Sequence, residues 1–383
     1  MSMTALPLLK SGILGFGFIG KTHAQAANSI PFCLLKPMLT VQTKALLRTH
    51  SEGDEDLIRA LGSPIVFTDL IEFLAADLDY VDICSPNDAH LPQALAAARA
   101  GKAVYCEKPL GMNLAEVQQM VQATTEAGVK THSAFILRYL PGVVQARAML
   151  QSGMIGKPLH YRAVMYHSSY LNTNRPTSWR LQKGRSGGGA WMDLGSHMVN
   201  LMQYLIGEPE TVSAWQNTFI KQRPTTAGAI EQIGVDVDDW CLAVLRHLEG
   251  VTGTVEVTRV AAGTGEDTYF EIYCSGGALR FSASKAENLQ WFDTKTNAWS
   301  LSAPKLDAKV NGHPIAELWA NPKYSQGMMI NAHLASIYDF ALCLQEGKES
   351  ELNFATALAT QRILEAANLS SEQNGREVRM AEL

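Results

Sequence analysis

Apolar and polar positions alternate on two different periods in the two halves of the chain. In the first 140 residues, short apolar runs are separated by amphipathic stretches. SGILGF (11–16) and VQTKALLR (41–48) read as strands, with PFCLLKPMLT (31–40) as a loop before the second. IVFTDL (65–70), YVDIC (80–84) and the start of KAVYCEKPL (102–110) read as further strands, and GVKTHSAFILRY (128–139) supplies another. Near-continuous apolar runs of this kind suit strands buried on both faces. DEDLIRALG (54–62) and LPQALAAARAG (91–101) read as helices closed by glycine, and IEFLAA (71–76) as a shorter helix. This strand–helix alternation predicts a parallel sheet covered by helices.

The pattern changes near residue 140. YLPGVVQARAMLQSGMIG (139–156) predicts a helix from Pro141 to about Gly153, followed by a strand within 159–170. TSWRLQKGRSGGGAWMD is polar and glycine-rich and reads as a loop; DLGSHMVNLMQYLIG (193–207) then reads as an amphipathic helix. Between about 211 and 300, strands of period two alternate with turns. They predict an open, predominantly antiparallel sheet with one solvated face. Trp240, Tyr269, Phe270, Tyr273, Phe281 and Trp291 read as its packing. Residues 302–327 read as a loop, 328–347 and 357–373 as helices. The expected division is a dinucleotide-binding domain over 1–138 and an α/β domain over 139–383, whose last helix is able to pack back on the first.

Length and composition narrow the choice of partners. A chain of 383 residues suits two domains. The net charge of −5 argues against a nucleic-acid partner. Six scattered cysteines, with no Cys-x-x-Cys pair, read as free thiols in a reducing compartment. The first residues lead straight into a strand without the ordered parts of a leader, and no apolar run approaches the 18 or so residues of a membrane helix. A cytoplasmic protein with no membrane partner is expected.

Candidate chemistry gathers at the carboxyl ends of the first-half strands. Gly15, Gly17 and Gly20, with Phe18 and Ile19 between them, have G-x-G-x-x-G spacing at the first strand–helix junction. The first glycine allows the tight turn, the second allows backbone to approach a pyrophosphate, and the third allows close helix packing. Arg48 stands where the second strand ends; an arginine there suits a ribose 2′-phosphate and shifts the expectation from NAD toward NADP. Ser85, Pro86, Asn87 and His90 follow one strand; Glu107, Lys108 and Pro109 follow another; Arg138 and Tyr139 edge a third. Asp193 and His197, four apart at a helix start, share a face. A carboxylate beside an imidazole suits proton transfer near neutral pH. No ligand set for a metal accompanies them.

GFGFIGKTH, SPNDAH, the EKPL stretch and DLGSH, in this order, resemble the glucose–fructose oxidoreductase and inositol dehydrogenase family, over nearly the whole chain. SWRLQK, SGGGAWMDLGSH and VDVDD resemble its levoglucosan dehydrogenase-like branch. The resemblance implies an N-terminal Rossmann domain for NAD or NADP and a C-terminal domain whose open sheet joins copies into a homodimer or homotetramer. It implies a sugar or polyol substrate. Carried over by motif, Lys108 is the active-site lysine, with Asp193 and His197 as carboxylate and histidine. Pro86, Asn87 and His90 would lie near the nicotinamide, Glu107 near its ribose, and Arg138 at the junction facing the site. Tyr166, His167, Trp179, Arg180 and Arg185 are candidates to meet sugar hydroxyls. The expected reaction is hydride transfer between nicotinamide and a secondary alcohol or ketone. His197 would take the hydroxyl proton and Lys108 would stabilise the oxygen. The alternatives are sugar oxidoreduction or NAD-dependent glycoside cleavage on a tightly held cofactor, and a non-catalytic sensor of NAD(P) or sugar.

Overall fold

The computed structural model describes residues 6–50, 52–301, 304 and 306–383. The apolar runs of the first half become β1 (Leu8–Leu14), β2 (Thr40–Leu47), β3 (Ile65–Phe67), β4 (Tyr80–Ile83), β5 (Ala103–Cys106) and β6 (Thr131–Ser133). All pair in parallel, in the order β3-β2-β1-β4-β5-β6. The order reverses between β1 and β4, the point at which doubly wound sheets hold ligands beyond their strand ends. Helices α1 (Phe18–Cys33), α2 (Glu55–Ala60), α3 (Leu70–Leu74), α4 (His90–Arg99) and α5 (Leu114–Glu126) make the connections. Ile13, Phe16, Ala24, Leu46, Leu61 and Cys84 pack into one buried cluster under the β1–α1 turn.

Two expectations shift here. α1 runs through Pro31 to Cys33, so the connection to β2 is short; Pro31 sits in the last turn, where it does not stop the helix. Only Thr131–Ser133 of the stretch 128–139 is strand, because the chain then tightens into a 3₁₀ turn at Ile136–Tyr139.

A second compact unit begins with α6 (Pro141–Gln151), β7 (Pro158–His167), α7 (Lys183–Ser186), α8 (Ser196–Leu205) and β8 (Pro209–Asn217). A small hairpin follows, β9 (Gln222–Pro224) with β10 (Gln232–Gly234). The sheet continues with β11 (Trp240–His247), β12 (Thr252–Thr258), β13 (Glu266–Cys274), β14 (Gly277–Ser282), β15 (Leu289–Asp293) and β16 (Ala298–Ser300). Eight of these strands and the terminal β19 (Val378–Arg379) form one nine-stranded sheet, ordered β16-β15-β14-β13-β7-β12-β11-β8-β19. Only the β7–β12 pairing is parallel, because β7 enters from α6 rather than from a hairpin. Its residues alternate as the period-two pattern requires. Ala163, Val255, Val257, Ala243, Leu245, Phe270 and Ile272 are buried on one face. α6 packs there so closely that a Cβ on Gly142 would fall 2.6 Å from the Phe281 ring.

Residues 309–356 then cluster with the first unit rather than the second. They hold β17 (Lys309–Val310), β18 (His313–Pro314), α9 (Ile315–Leu318) and α10 (Met328–Glu346), so a hairpin and a short helix occupy what reads as a loop. The reason lies in α10, which is buried without interruption from Asn331 to Cys343. Polar groups match it to the first sheet: Tyr105 Oη and Ser336 Oγ are 2.8 Å apart, and Tyr139 Oη donates to Asp339 at 2.8 Å. α11 (Phe354–Glu372) returns to the second unit from Ala357 onward. No helix among the described residues is long and apolar enough to cross a membrane.

Candidate active site

The glycine turn has the stereochemistry that its spacing implies. Gly15 has φ +92°, and a Cβ there would sit 2.9 Å from the Ser85 backbone. A Cβ on Gly20 would lie 2.1 Å from the Gly15 carbonyl oxygen. Gly17 differs, being exposed with nothing within 4 Å of its would-be Cβ. It is the N-cap of α1 and no side chain caps it, so the first N–H groups of a 16-residue helix are left to an anion. Phe18 is exposed and Ile19 half-buried beside them. This cradle fits the pyrophosphate of a dinucleotide.

Arg48 follows β2, as expected, but its guanidinium is turned into the next loop. It donates to the carbonyls of Gly53 (2.7 Å) and Glu52 (3.1 Å), and it lies 3.5 Å from Asp54. Lys21, from the first turn of α1, meets the same Asp54 at 2.7 Å. These cations hold the Asp54 carboxyl below its usual range, the Lys21 hydrogen bond contributing most. The reason for the inward turn is local: Gly53 and Asp54 both have positive φ, which aims the loop's carbonyls back at β2.

At the end of β5 the polar turn Glu107–Lys108–Pro109 has a cis Lys108–Pro109 peptide and leaves Lys108 half-exposed. Glu107 is buried and both its oxygens are engaged. Oε1 is 3.0 Å from His23 Nε2, and Oε2 accepts the Lys108 N–H at 3.0 Å. Burial pushes this carboxyl up, but the hydrogen bond and charge of His23 outweigh it and bring it down to about 2. His23 Nδ1 lies 2.9 and 3.0 Å from the two oxygens of Asp82, at the end of β4. His90 is wholly buried and also turns inward: Nε2 faces the Ser85 carbonyl at 3.0 Å, Nδ1 the Pro109 carbonyl at 3.1 Å. It ties the two rim turns together. Ser85 Oγ donates to Gln93, Pro86 is half-buried, and Asn87 and Arg138 are buried.

Within the second unit, Asp193 and His197 occupy the entry to α8, but the helix does not begin regularly. Trp191–Gly195 form a π turn ahead of Ser196–Leu205. Two backbone groups explain it: Gly189 and Trp191 N–H donate to the two oxygens of Asp238 at 2.9 and 2.7 Å, pinning the turn from outside. His197 is buried; Asp193 is half-buried and pairs with Arg259 at 3.1 Å. Arg259 is only 2% exposed and also donates to the Gly189 carbonyl at 3.0 Å.

The expected sugar contacts divide. Tyr166 lies on the half-exposed sheet face, where its hydroxyl donates to Glu256 at 2.5 Å; Trp240 donates to the same carboxylate at 2.8 Å. Alternation along β7 puts its neighbour His167 on the opposite face. Trp179 and Arg180 are half-buried and stack on each other, the guanidinium 4.3 Å from the ring centroid. Arg185 is exposed.

His23 closes the GFGFIGKTH motif without receiving a role from it, and three residues around these groups lie outside the quoted motifs: Asp82, His333 and Arg259. A signal existed for one of them, since Asp82 is an acid inside the apolar strand YVDI and needs a partner there. His23, Asp82 and Cys84 form one set of donor atoms within 4.8 Å of one another, and His23, Glu107 and His333 a second. Both sets use His23, whose two nitrogens are already occupied by carboxylates.

Two family models match the chain. One describes an oxidoreductase family with an NAD-binding Rossmann fold and covers residues 9–135; the other describes the GFO/IDH/MocA C-terminal domain and covers 143–280. Levoglucosan dehydrogenase of Pseudarthrobacter phenanthrenivorans is 31% identical over 94% of this chain and 96% of its own. Myo-inositol 2-dehydrogenase of Thermotoga maritima is 27% identical over 71% of this chain and 74% of its own. A solved levoglucosan dehydrogenase in complex with NADH and levoglucosan matches with a TM-score of 0.87 at 28% identity, covering 97% of this chain and 99% of that one.

Proposed function

This chain belongs to the GFO/IDH/MocA oxidoreductase family, with its NAD-binding Rossmann fold, and from that premise we propose that it is a sugar, anhydrosugar or polyol dehydrogenase. The observation that carries the reading is the pairing of features on one sheet rim. The open Gly17 cradle follows β1, and the half-exposed Lys108 follows β5 of the same sheet. A bound nicotinamide supplies the hydride acceptor or donor. Lys108 is assigned to the substrate oxygen, whose developing negative charge its ammonium stabilises. His197 is assigned to the hydroxyl proton. Asp193, anchored by Arg259, is assigned to the imidazole or to a neighbouring hydroxyl.

NAD is the better supported cofactor. The Arg48 donors that a 2′-phosphate would need are spent on Gly53, Glu52 and Asp54. A levoglucosan-type anhydrosugar is the first substrate to offer, given the relatives. The half-exposed face of the nine-stranded sheet, with Tyr166, Glu256 and Trp240, is assigned to contact with a second copy; light scattering on the purified protein gives the mass that checks it.

Lys108→Ala and His197→Ala test the assignment. Each is expected to lower turnover by about 10²–10⁴ while NADH affinity, read by its fluorescence, stays near that of the parent. Unchanged turnover in both variants refutes it.

A further inference from the structure

Buried charge in the first unit is concentrated around one residue that the reaction does not use directly. His23 is 0% exposed, and each ring nitrogen meets a carboxylate: Nδ1 meets both oxygens of Asp82, and Nε2 meets Oε1 of Glu107. Ionised carboxylates only accept hydrogen bonds, so both nitrogens must carry protons to satisfy this geometry. A neutral ring would turn a lone pair toward one of the two anions. The second oxygen of Glu107 accepts the backbone N–H of Lys108. A continuous line of contacts therefore runs from Asp82 at the end of β4, through His23 on α1 and Glu107 beyond β5, to the backbone that presents Lys108.

We propose that His23 is a positioning residue, a permanently charged imidazolium clasp that holds Asp82 and Glu107 together and so fixes the turn bearing Lys108. The proposal rests on the reading of Lys108 as the group that meets the substrate oxygen.

The surroundings agree with a fixed charge rather than a switch. From β4 and its end come Tyr80, Asp82 and Cys84; from β5 and its turn come Tyr105, Glu107 and Lys108; α10 contributes His333, whose ring centroid is 4.5 Å from that of His23. Burial raises the thiol of Cys84 and the phenols of Tyr80 and Tyr105, so all three stay neutral. Burial, with the charge of His23, drives His333 down to about 3, so it too is neutral. Burial is the largest single influence and works against protonation of His23, but the charge and hydrogen bonds of Asp82, together with the contacts of Cys84, outweigh it and hold the ring well above the usual histidine range. The two carboxylates are thus balanced by His23 and Lys108.

The test uses the full-length protein in two arms. In the first, ¹⁵N-histidine spectra of the parent, with His23 assigned by its loss in His23→Gln, are followed from about pH 6 to about pH 9. Both His23 nitrogens are expected to stay protonated throughout. A neutral ring at pH 7 overturns the proposal, as does one equivalent of a transition metal in the purified protein. In the second, His23→Gln is expected to lower kcat by on the order of 10²-fold, the usual cost of a misplaced catalytic group. NADH affinity and the KM for cofactor should hold within about twofold, a split that general unfolding would not give. Parent-like kcat in a folded His23→Gln overturns the positioning role. If Lys108→Ala keeps full turnover, the reading of Lys108 fails instead, while the spectra still report on the clasp. The spectra of the parent decide the charge even where the variant does not fold.

Discussion

Two glycines of one turn, three residues apart, should respond to the same methyl group in opposite ways. At Gly20 an alanine Cβ would lie 2.1 Å from the Gly15 carbonyl oxygen. Carbon and oxygen approach no closer than about 3.3 Å, so one must retreat by about 1.2 Å. The obstacle is backbone, held at φ +92° in a turn so tight that a Cβ on Gly15 would itself meet the Ser85 backbone at 2.9 Å, so little of that retreat is cheap. Gly20→Ala should therefore cost about 1–3 kcal/mol of stability, the range for overpacking a filled site. At Gly17 a Cβ meets nothing within 4 Å, and the backbone, at φ −82° and ψ −159°, suits any residue. Its small gain from a less flexible unfolded chain, about 0.4–1 kcal/mol, is offset by alanine's weakness as an N-cap. Gly17→Ala should leave stability nearly unchanged, yet it fills the space through which a pyrophosphate must approach. A tenfold to hundredfold loss of NADH affinity is about 1.4–2.8 kcal/mol. Urea unfolding and NADH fluorescence titration on both variants decide it. Parent-like NADH affinity in Gly17→Ala would mean that the turn does not hold the dinucleotide. Parent-like stability in Gly20→Ala would refute the packing argument.

Asp54→Asn removes the carboxylate that occupies Lys21 and Arg48, and should narrow the preference for NAD over NADP, measured as the ratio of their dissociation constants; an unchanged ratio shows that neither cation reaches the ribose. Arg259→Met removes the guanidinium that pairs with the half-buried Asp193 and donates to the Gly189 carbonyl; turnover should fall with little change in NADH affinity, and stability should drop by about 1–3 kcal/mol, the scale of a lost charged hydrogen bond. The His23–Glu107 pair also predicts a pH window. Glu107 is depressed from 4.5 to about 2, so its contribution is present above 4.5 and lost as pH falls through about 2; His23 is raised above 6.5, so its contribution is full below 6.5 and lost as pH rises through its higher folded value. The stability difference between the parent and His23→Gln/Glu107→Gln should therefore be greatest between about pH 4.5 and 6.5. A difference that is flat from acid to alkaline pH excludes the charged pair.

Much of this was legible from the chain because periodicity and spacing are local. The runs around Ile13, Leu46, Ile83 and Cys106 announce buried parallel strands, and the Gly15–Gly17–Gly20 spacing announces the tight turn into α1 after the first of them. Long-range pairing is what spacing cannot carry. Arg48 looks like a free cation until the positive φ of Gly53 and Asp54 folds two carbonyls over it. Asp193 shares a helix face with His197 by count, but its ion pair with Arg259, distant in sequence, is announced by no spacing. The π turn at Trp191–Gly195 is likewise invisible, because it depends on Asp238 reaching back to Gly189 and Trp191. α10 reads as a helix but not as part of the first unit, since a helix buried on every side names no destination.

That last feature bears on the order in which the molecule can be made. The first unit is a host whose sequence is interrupted by almost the whole of the second, and its closing helix is synthesised late. α10 brings the His333 ring to 4.5 Å from that of His23, so the packing around His23, Asp82 and Glu107 is complete only once α10 has joined it. The ionic cluster is therefore a product of completion rather than a nucleus. A ribosome-bound chain that has released β1–β6 holds the right strands in the right order, but the wall that His333 adds beside His23 arrives only with α10.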